Sequence, residues 1–462
     1  MLSHIWRASR STLVSFVFFS CFLLALNAQV QDNAAAVFKF SDVDRQVLDQ
    51  SNAIDAQYVK KGLLLQDPDL QAYLDSVGKR VLGNHPIPEQ VQFKFRVLRD
   101  PMVQAFALPN GSVYVTTGLL SLLENEAQLA GVLGHETAHV FERHGYFENR
   151  SVRKKALTLN VIQIVASAAP VGPNFSQSVQ LFGQAVQLGA AIGSEILVAS
   201  IFGYSREMER QADSDGLQAM TEASYDPAAM ARSFELLDED SKLEFEPFQS
   251  FYHDHPKLSD RRVMAGEYAS AHTPAQPVTG TEKDYLSKVS PAVCADIEAD
   301  LNSRRERTAV NRATRLTTIF PDSQKYRVLL ADSYRGLGAK ARVPSDDEHN
   351  RHGQAEHRKE YFSMTPQEEQ KKLLEKPEGP NVLLENRSQA ETLYKSVLQA
   401  DPTYSQAHRG LGFLYEDEGK YAEAAAEYQA YLAIVAGTSL DHLRIERRLV
   451  AMQKMAGSPV SR

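Results

Sequence analysis

The stretch Leu129-Ala-Gly-Val-Leu-Gly-His135-Glu136-Thr-Ala-His139-Val-Phe-Glu-Arg-His144-Gly145 decides how the rest of the chain is read. In an α-helix, positions four apart lie on one face, so His135 and His139 aim at a single point and Glu136 sits one step round beside it. Two neutral imidazoles at this spacing hold a zinc ion, and the adjacent carboxylate can take a proton from a water whose pKa the metal has lowered to about 7. The flanks predict a helix. Asn125 with Gln128 three residues on reads as its start, Leu129, Val132, Leu133 and Val140 supply a buried stripe, and Gly145 reads as its stop.

A catalytic zinc takes three protein ligands and keeps one position open. One known pattern places Gly three and His six residues after the second histidine, but Glu142 and Gly145 stand there. Another needs a Glu on the following helix, yet no Asp or Glu lies between Glu148 and Glu195. A third candidate is Tyr204-Ser-Arg-Glu-Met-Glu209-Arg-Gln-Ala-Asp213, in which Glu209 and Asp213 are four apart and share a helical face.

That stretch resembles the S-R-x-x-E-x-x-x-D motif of the membrane-associated zinc metallopeptidase family that contains the CAAX prenyl proteases and the bacterial β-barrel assembly-enhancing protease. The resemblance implies that Glu209 is the third zinc ligand, and that Asp213 is an outer partner of a ligand histidine, also described as a proton donor. Upstream, Gln104-Ala-Phe-Ala-Leu-Pro-Asn-Gly-Ser-Val-Tyr-Val-Thr-Thr-Gly-Leu119 is similar to the family's N-A-F-x-x-P-x-G-x-x-x-x-x-x-G-L strand pair, with Gln104 departing from the usual Asn. Its second arm, Val113 to Thr117, looks like the family's edge strand, beside which a substrate backbone adds as an extra strand. Downstream, His255-Pro256 followed by Arg261 resembles H-P-x-x-x-x-R, whose His and Arg face the metal and serve catalysis or gating. On this resemblance His135, His139 and Glu209 bind one zinc ion per chain, and Glu136, Asp213, His255 and Arg261 are the catalytic set, Arg261 beside the developing oxyanion. His144, nine positions after His135, lies well round the helix and reads as structural.

The formal net charge of −8 argues against nucleic acid as a partner. Residues 1–28 read as a secretory signal: Arg7 and Arg10 before an apolar run from Leu13 to Leu26, with Ala28 as the last residue before cleavage. The expected compartment is the periplasm. Leu26 is large for a cleavage site, so a retained anchor stays open. Once the signal leaves with Cys21, only Cys294 remains, and no intramolecular disulfide is possible.

Ser41 with Asp44, and Asp67-Pro68, each open a helix, the second carrying Leu70, Leu74, Val77 and Val81. Val91, Phe93, Phe95 and Val97 alternate as a strand, and Asn110-Gly111 marks a hairpin. The apolar stretch 156–203, broken by Pro170 and Pro173, reads as a helical hairpin over the cleft or on a membrane surface rather than a span. Composition shifts at 272–282. Beyond it Ala390, Tyr394 and Leu398 recur 34 residues later at Ala424, Tyr428 and Leu432, and Leu411-Gly412, Tyr415 and Gly419 complete a tetratricopeptide pattern. A charged insert, 340–385, interrupts an earlier half-repeat; its His349, His352 and His357 read as solvated.

The expected fold is mainly α with a small β-sheet: a zincin-type metallopeptidase domain over 37–272, then an α-solenoid of tetratricopeptide repeats over 285–462. The expected function is zinc-dependent hydrolysis of peptide bonds in exported proteins, in outer-membrane protein assembly and quality control. Unfolded or misassembled proteins are the substrates, and the repeats recruit partners from the assembly machinery. The rival reading is a periplasmic chaperone or adaptor that acts through its repeats with the peptidase latent.

Overall fold

The structure is a computed structural model. It describes residues 40–148, 204–240, 258–338, 380–437 and 439–457. The signal segment, the stretch 156–203, His255-Pro256 and the insert histidines lie outside the described residues. What is described is mostly helical with one small sheet. No described helix is long and apolar enough to cross a membrane.

Helix α1 (Asp42–Lys60) opens on the Ser41 and Asp44 exchange, in which the Ser41 hydroxyl donates to Asp44 at 2.6 Å. Helix α2 (Pro68–Leu82) opens where Asp67 accepts from the Leu70 amide at 2.9 Å and Pro68 needs no amide partner; it buries Leu70, Leu74, Val77 and Val81. Strands β1 (Lys94–Leu98), β2 (Ala105–Ala107) and β3 (Ser112–Thr116) form a sheet of order β1-β3-β2. The Asn110-Gly111 hairpin forms as its sequence demands. Gly111 has φ 92°, and a Cβ there would lie 2.7 Å from the Gln92 carbonyl oxygen.

The sheet order corrects one expectation. Val113 to Thr117 is not an edge: β3 pairs antiparallel with β2 on one side and parallel with β1 on the other, Lys94 opposite Ser112 through Leu98 opposite Thr116. A hairpin is local and legible, whereas a parallel partner arrives from an upstream strand and leaves no mark between the two. The outer strand on the hairpin side is β2.

Helices α3 (Thr117–Leu122) and α4 (Glu126–Phe141) pack on the sheet, α5 (Arg206–Glu222) and α6 (Ala228–Asp240) pack on α4, and α7 (Leu258–His272) packs on α5 and α6. Leu74, Phe95, Val113, Leu129, Leu133, Leu217 and Met220 meet in one core. That core runs on past 272–282 into α8 (Glu282–Asn302), α9 (Glu306–Ile319) and α10 (Gln324–Leu337), through Tyr285, Leu286, Val289 and Leu316. The Tyr285 hydroxyl donates to the Leu120 carbonyl at 3.0 Å, and Arg315 donates to the carbonyls of Ser121 and Leu123 at 2.7 and 2.8 Å.

Helices α11 (Pro380–Ala400), α12 (Ser405–Asp417), α13 (Tyr421–Ile434) and α14 (Leu440–Ala456) build a second core around Tyr394, Leu411, Leu414 and Tyr428. The repeat shows in its packing. A Cβ at Gly410 would lie 2.3 Å from the Tyr394 ring, and one at Gly412 would lie 2.3 Å from the Tyr428 ring, so each glycine seats a tyrosine of a neighbouring helix. Helix α10 belongs to both cores, with Leu329 and Leu330 in the first and Val328 and Ala331 in the second.

Candidate metal centre

Helix α4 starts where expected: the Asn125 side chain accepts from the Gln128 amide at 3.0 Å. It ends earlier than expected. Phe141 is its last residue, and Arg143, at φ 61°, makes the left-handed reversal that Gly145 was expected to make. Gly145 serves packing instead, since a Cβ there would meet Pro109 at 2.6 Å.

Helix α5 is capped by Ser205, whose side chain accepts from the Met208 amide, and crosses α4 at two glycines. A Cβ at Gly134 would lie 2.9 Å from the Gly216 carbonyl oxygen, and one at Gly216 would lie 2.8 Å from the His135 nitrogen. Backbone therefore meets backbone one residue before His135 and three after Asp213, and that close crossing brings Glu209 and Asp213 to the histidines.

His135 Nε2 lies 3.0 Å from His139 Nε2 and 3.5 Å from Glu209 Oε2, and His139 Nε2 lies 3.6 Å from Glu209 Oε1. Among the described residues these three form a group able to hold a metal ion, their donor atoms all within 4.8 Å of one another. The donor set fits. Ligands about 2.0–2.1 Å from a tetrahedral ion stand roughly 3.3 Å apart, within the observed spread. Glu136 is buried in the same helix.

Each donor is held from behind. Asp213 Oδ1 sits 2.9 Å from His135 Nδ1, and Arg261 grips Asp213 with two bonds, Nε to Oδ2 at 2.8 Å and Nη2 to Oδ1 at 2.6 Å. The Arg261 guanidinium also lies over the Phe234 ring, 4.4 Å from its centroid. Burial works against the Asp213 charge, but Arg261 and His135 outweigh it and keep the carboxyl below its usual range. Two of the donors expected to serve an oxyanion are thus committed to Asp213, because a carboxylate this deeply buried requires a paired cation. Electrostatics split the two imidazoles. Burial disfavours charge on both, but the Asp213 contact raises His135, while His139, with His135 beside it, is held well below the imidazole range.

Sequence reading passed over Gly134 and Gly216, gave Tyr204 no role and took His144 as structural, well round the helix from the ligands. The Tyr204 ring stacks on His139 at 4.2 Å, and its amide donates to Glu209 Oε1 at 3.4 Å. His144 Nδ1 lies 2.9 Å from His139 Nδ1. Extrapolating one helix through position 144 put that ring on the wrong side, because the chain reverses at Arg143. The glycines did carry a signal: one directly precedes the histidine motif and the other follows Glu209 by seven, the helical spacing of the same face.

The site and the helical scaffold define a metallopeptidase-type domain joined to a repeat region. Residues 68–266 match peptidase family M48, and residues 384–442 match a tetratricopeptide repeat, so the chain carries an M48 domain followed by tetratricopeptide units. The mitochondrial metalloendopeptidase OMA1 of Schizosaccharomyces pombe is 35% identical over 36% of this chain and 43% of its own length. The beta-barrel assembly-enhancing protease of Escherichia coli is 28% identical over 49% of this chain and 44% of its own length. The metalloprotease LoiP of Escherichia coli is 29% identical over 56% of this chain and 94% of its own. The chain spans less than half the length of the first two relatives.

Proposed function

We propose that the chain is a zinc-dependent endopeptidase acting on exported proteins, in outer-membrane protein assembly and quality control. The convergence of His135, His139 and Glu209 within 4.8 Å, on two helices of an M48 domain, is the observation that carries the reading. His135, His139 and Glu209 hold one zinc. When bound, zinc supplies a Lewis acid and a nucleophilic water at neutral pH. The Glu136 carboxylate takes the proton of the attacking water and delivers it to the leaving amine. Asp213 orients His135 and is itself positioned by Arg261. An extended substrate segment adds beside β2, the outer strand on the hairpin side of the described sheet. His255 is assigned to the same reaction by its motif alone.

The tetratricopeptide units suit recruitment of unfolded or misassembled substrates and of assembly partners. The N-terminal signal supports a periplasmic location, and the stretch 156–203 supports contact with a membrane surface. The name of one relative, a beta-barrel assembly-enhancing protease, supports the same setting, and that of another, a metalloprotease, supports the reaction. The second reading, a chaperone or adaptor with a latent peptidase, is favoured only by the repeat region.

A casein digest with zinc-loaded and chelated protein separates these readings. Cleavage is expected from the loaded form alone. Glu136→Gln should keep one zinc per chain and lose cleavage, and Glu209→Ala should lose zinc. Near-wild-type cleavage by Glu136→Gln rejects the mechanism, and unchanged zinc in Glu209→Ala rejects the ligand set. His255→Ala separates two roles: basal cleavage rises if His255 restrains the site and falls, with zinc retained, if it assists the reaction.

A further inference from the structure

His144 is outside the three donors, yet an unbroken line of hydrogen bonds passes through it. Its Nδ1 lies 2.9 Å from His139 Nδ1 and its Nε2 lies 3.3 Å from Gln211 Oε1, while Gln211 Nε2 donates to Glu142 Oε2 at 2.6 Å. The inner end is sealed, both imidazoles being 2% exposed, and the outer end reaches the surface at Glu142. Two separate features aim the ring: the reversal at Arg143, and the Tyr146 hydroxyl anchored on the Pro109 carbonyl at 3.2 Å. We propose that His144, Gln211 and Glu142 are a positioning relay that fixes the tautomer of His139 and points its Nε2 at the metal, an inference that rests on the zinc reading above.

Donor and acceptor roles along the line admit one assignment. A carboxylate only accepts, so the Gln211 amide nitrogen faces Glu142 and its oxygen faces His144. An amide oxygen also only accepts, so His144 Nε2 carries a hydrogen. A neutral imidazole has one N–H, which leaves His144 Nδ1 as a bare acceptor and requires the hydrogen on His139 Nδ1. His139 Nε2 is then a lone pair facing His135 Nε2 and Glu209. The two ligand histidines thus have different outer partners. His135 is backed by an anion that Arg261 holds in place, and His139 is backed by a neutral ring whose hydrogen is held by an amide. Losing an outer partner of a ligand histidine costs about ten- to a hundredfold in metal affinity.

The test uses the full-length protein. With ¹⁵N-labelled histidine and bound zinc, long-range ¹H–¹⁵N spectra should show the hydrogen of His144 on Nε2 and that of His139 on Nδ1. In chelator competition His144→Leu, which keeps bulk but offers no acceptor, should bind zinc about ten- to a hundredfold more weakly. His144→Gln, whose amide oxygen can accept from His139, should recover part of that loss. A hydrogen on His144 Nδ1 overturns the relay even if neither variant folds. So does wild-type affinity in His144→Leu, or an equal loss in both variants, which marks a packing role. No zinc binding by the wild-type protein overturns the zinc reading itself, and the relay with it.

Discussion

At Asp213 one buried carboxylate serves two partners, accepting from Arg261 through both oxygens while Oδ1 also faces His135 Nδ1. Asp213→Asn keeps the shape, removes the charge and leaves Arg261 facing a neutral amide. Zinc affinity in chelator competition should fall about ten- to a hundredfold. A second carboxylate, Asp55, does comparable work for the sheet. It accepts from the fully buried Tyr114 hydroxyl at 2.7 Å and pairs with Lys94 and Arg96 at 3.4 and 3.2 Å. Burial raises the Asp55 pKa, but Tyr114 and the two cations outweigh it, and the net direction is down. A carboxyl depressed on folding stabilises the protein above its unfolded pKa of about 3.9 and loses that contribution as pH falls through the folded value. Asp55→Ala should therefore cost about 1–3 kcal/mol at neutral pH, mostly by stranding the Tyr114 hydroxyl. In thermal melts the gap in Tm from wild type should narrow as the pH is lowered below the carboxylate range.

At the scale of elements, the crossing of α4 and α5 decides whether there is a site at all. Gly134 and Gly216 let the two backbones touch, so a single methyl at the crossing separates the histidines from Glu209. Gly216→Ala puts a Cβ 2.8 Å from the His135 nitrogen, an overlap that only movement of a whole helix relieves. It should cost about 1–3 kcal/mol of stability and weaken zinc binding with it, measured by melting and chelator competition on the same sample. Alanine at Gly266, inside α7 where a Cβ would meet nothing within 4 Å, should leave zinc binding unchanged and raise stability by about 1 kcal/mol, as removing a helix-interior glycine does.

For the whole molecule, the position of the cores predicts where the chain can be cut. Removing 380–462 uncovers chiefly the Val328 and Ala331 face of α10 and leaves the first core intact. Removing 285–462 instead strips Tyr285, Leu286, Val289 and Leu316 from that core and takes the Arg315 bonds away from the Ser121 and Leu123 carbonyls, just before α4. The shorter truncation should keep a cooperative melt and zinc binding; the longer one should lose both. Buried charge argues the same way, because Arg312 pairs with Asp296 and Asp300 inside this helical layer and reaches Asp240 at the end of α6.

The sequence by itself determined what lies within one or two turns of its own residues. The Asn125 cap, the pairing of His135 with His139, that of Glu209 with Asp213, the Asn110-Gly111 hairpin and the 34-residue recurrence of Tyr394 and Tyr428 are all local periodicities or cap chemistry. Tertiary structure decided what depends on partners far along the chain. It set β3 between a parallel and an antiparallel neighbour, gave Arg261 to Asp213, and ran one core across the composition change at 272–282. It also turned His144 back onto His139, since a left-handed residue at Arg143 breaks the helical extrapolation that any reading of spacing must assume. Spacing states which side chains share a face; only packing states what that face meets.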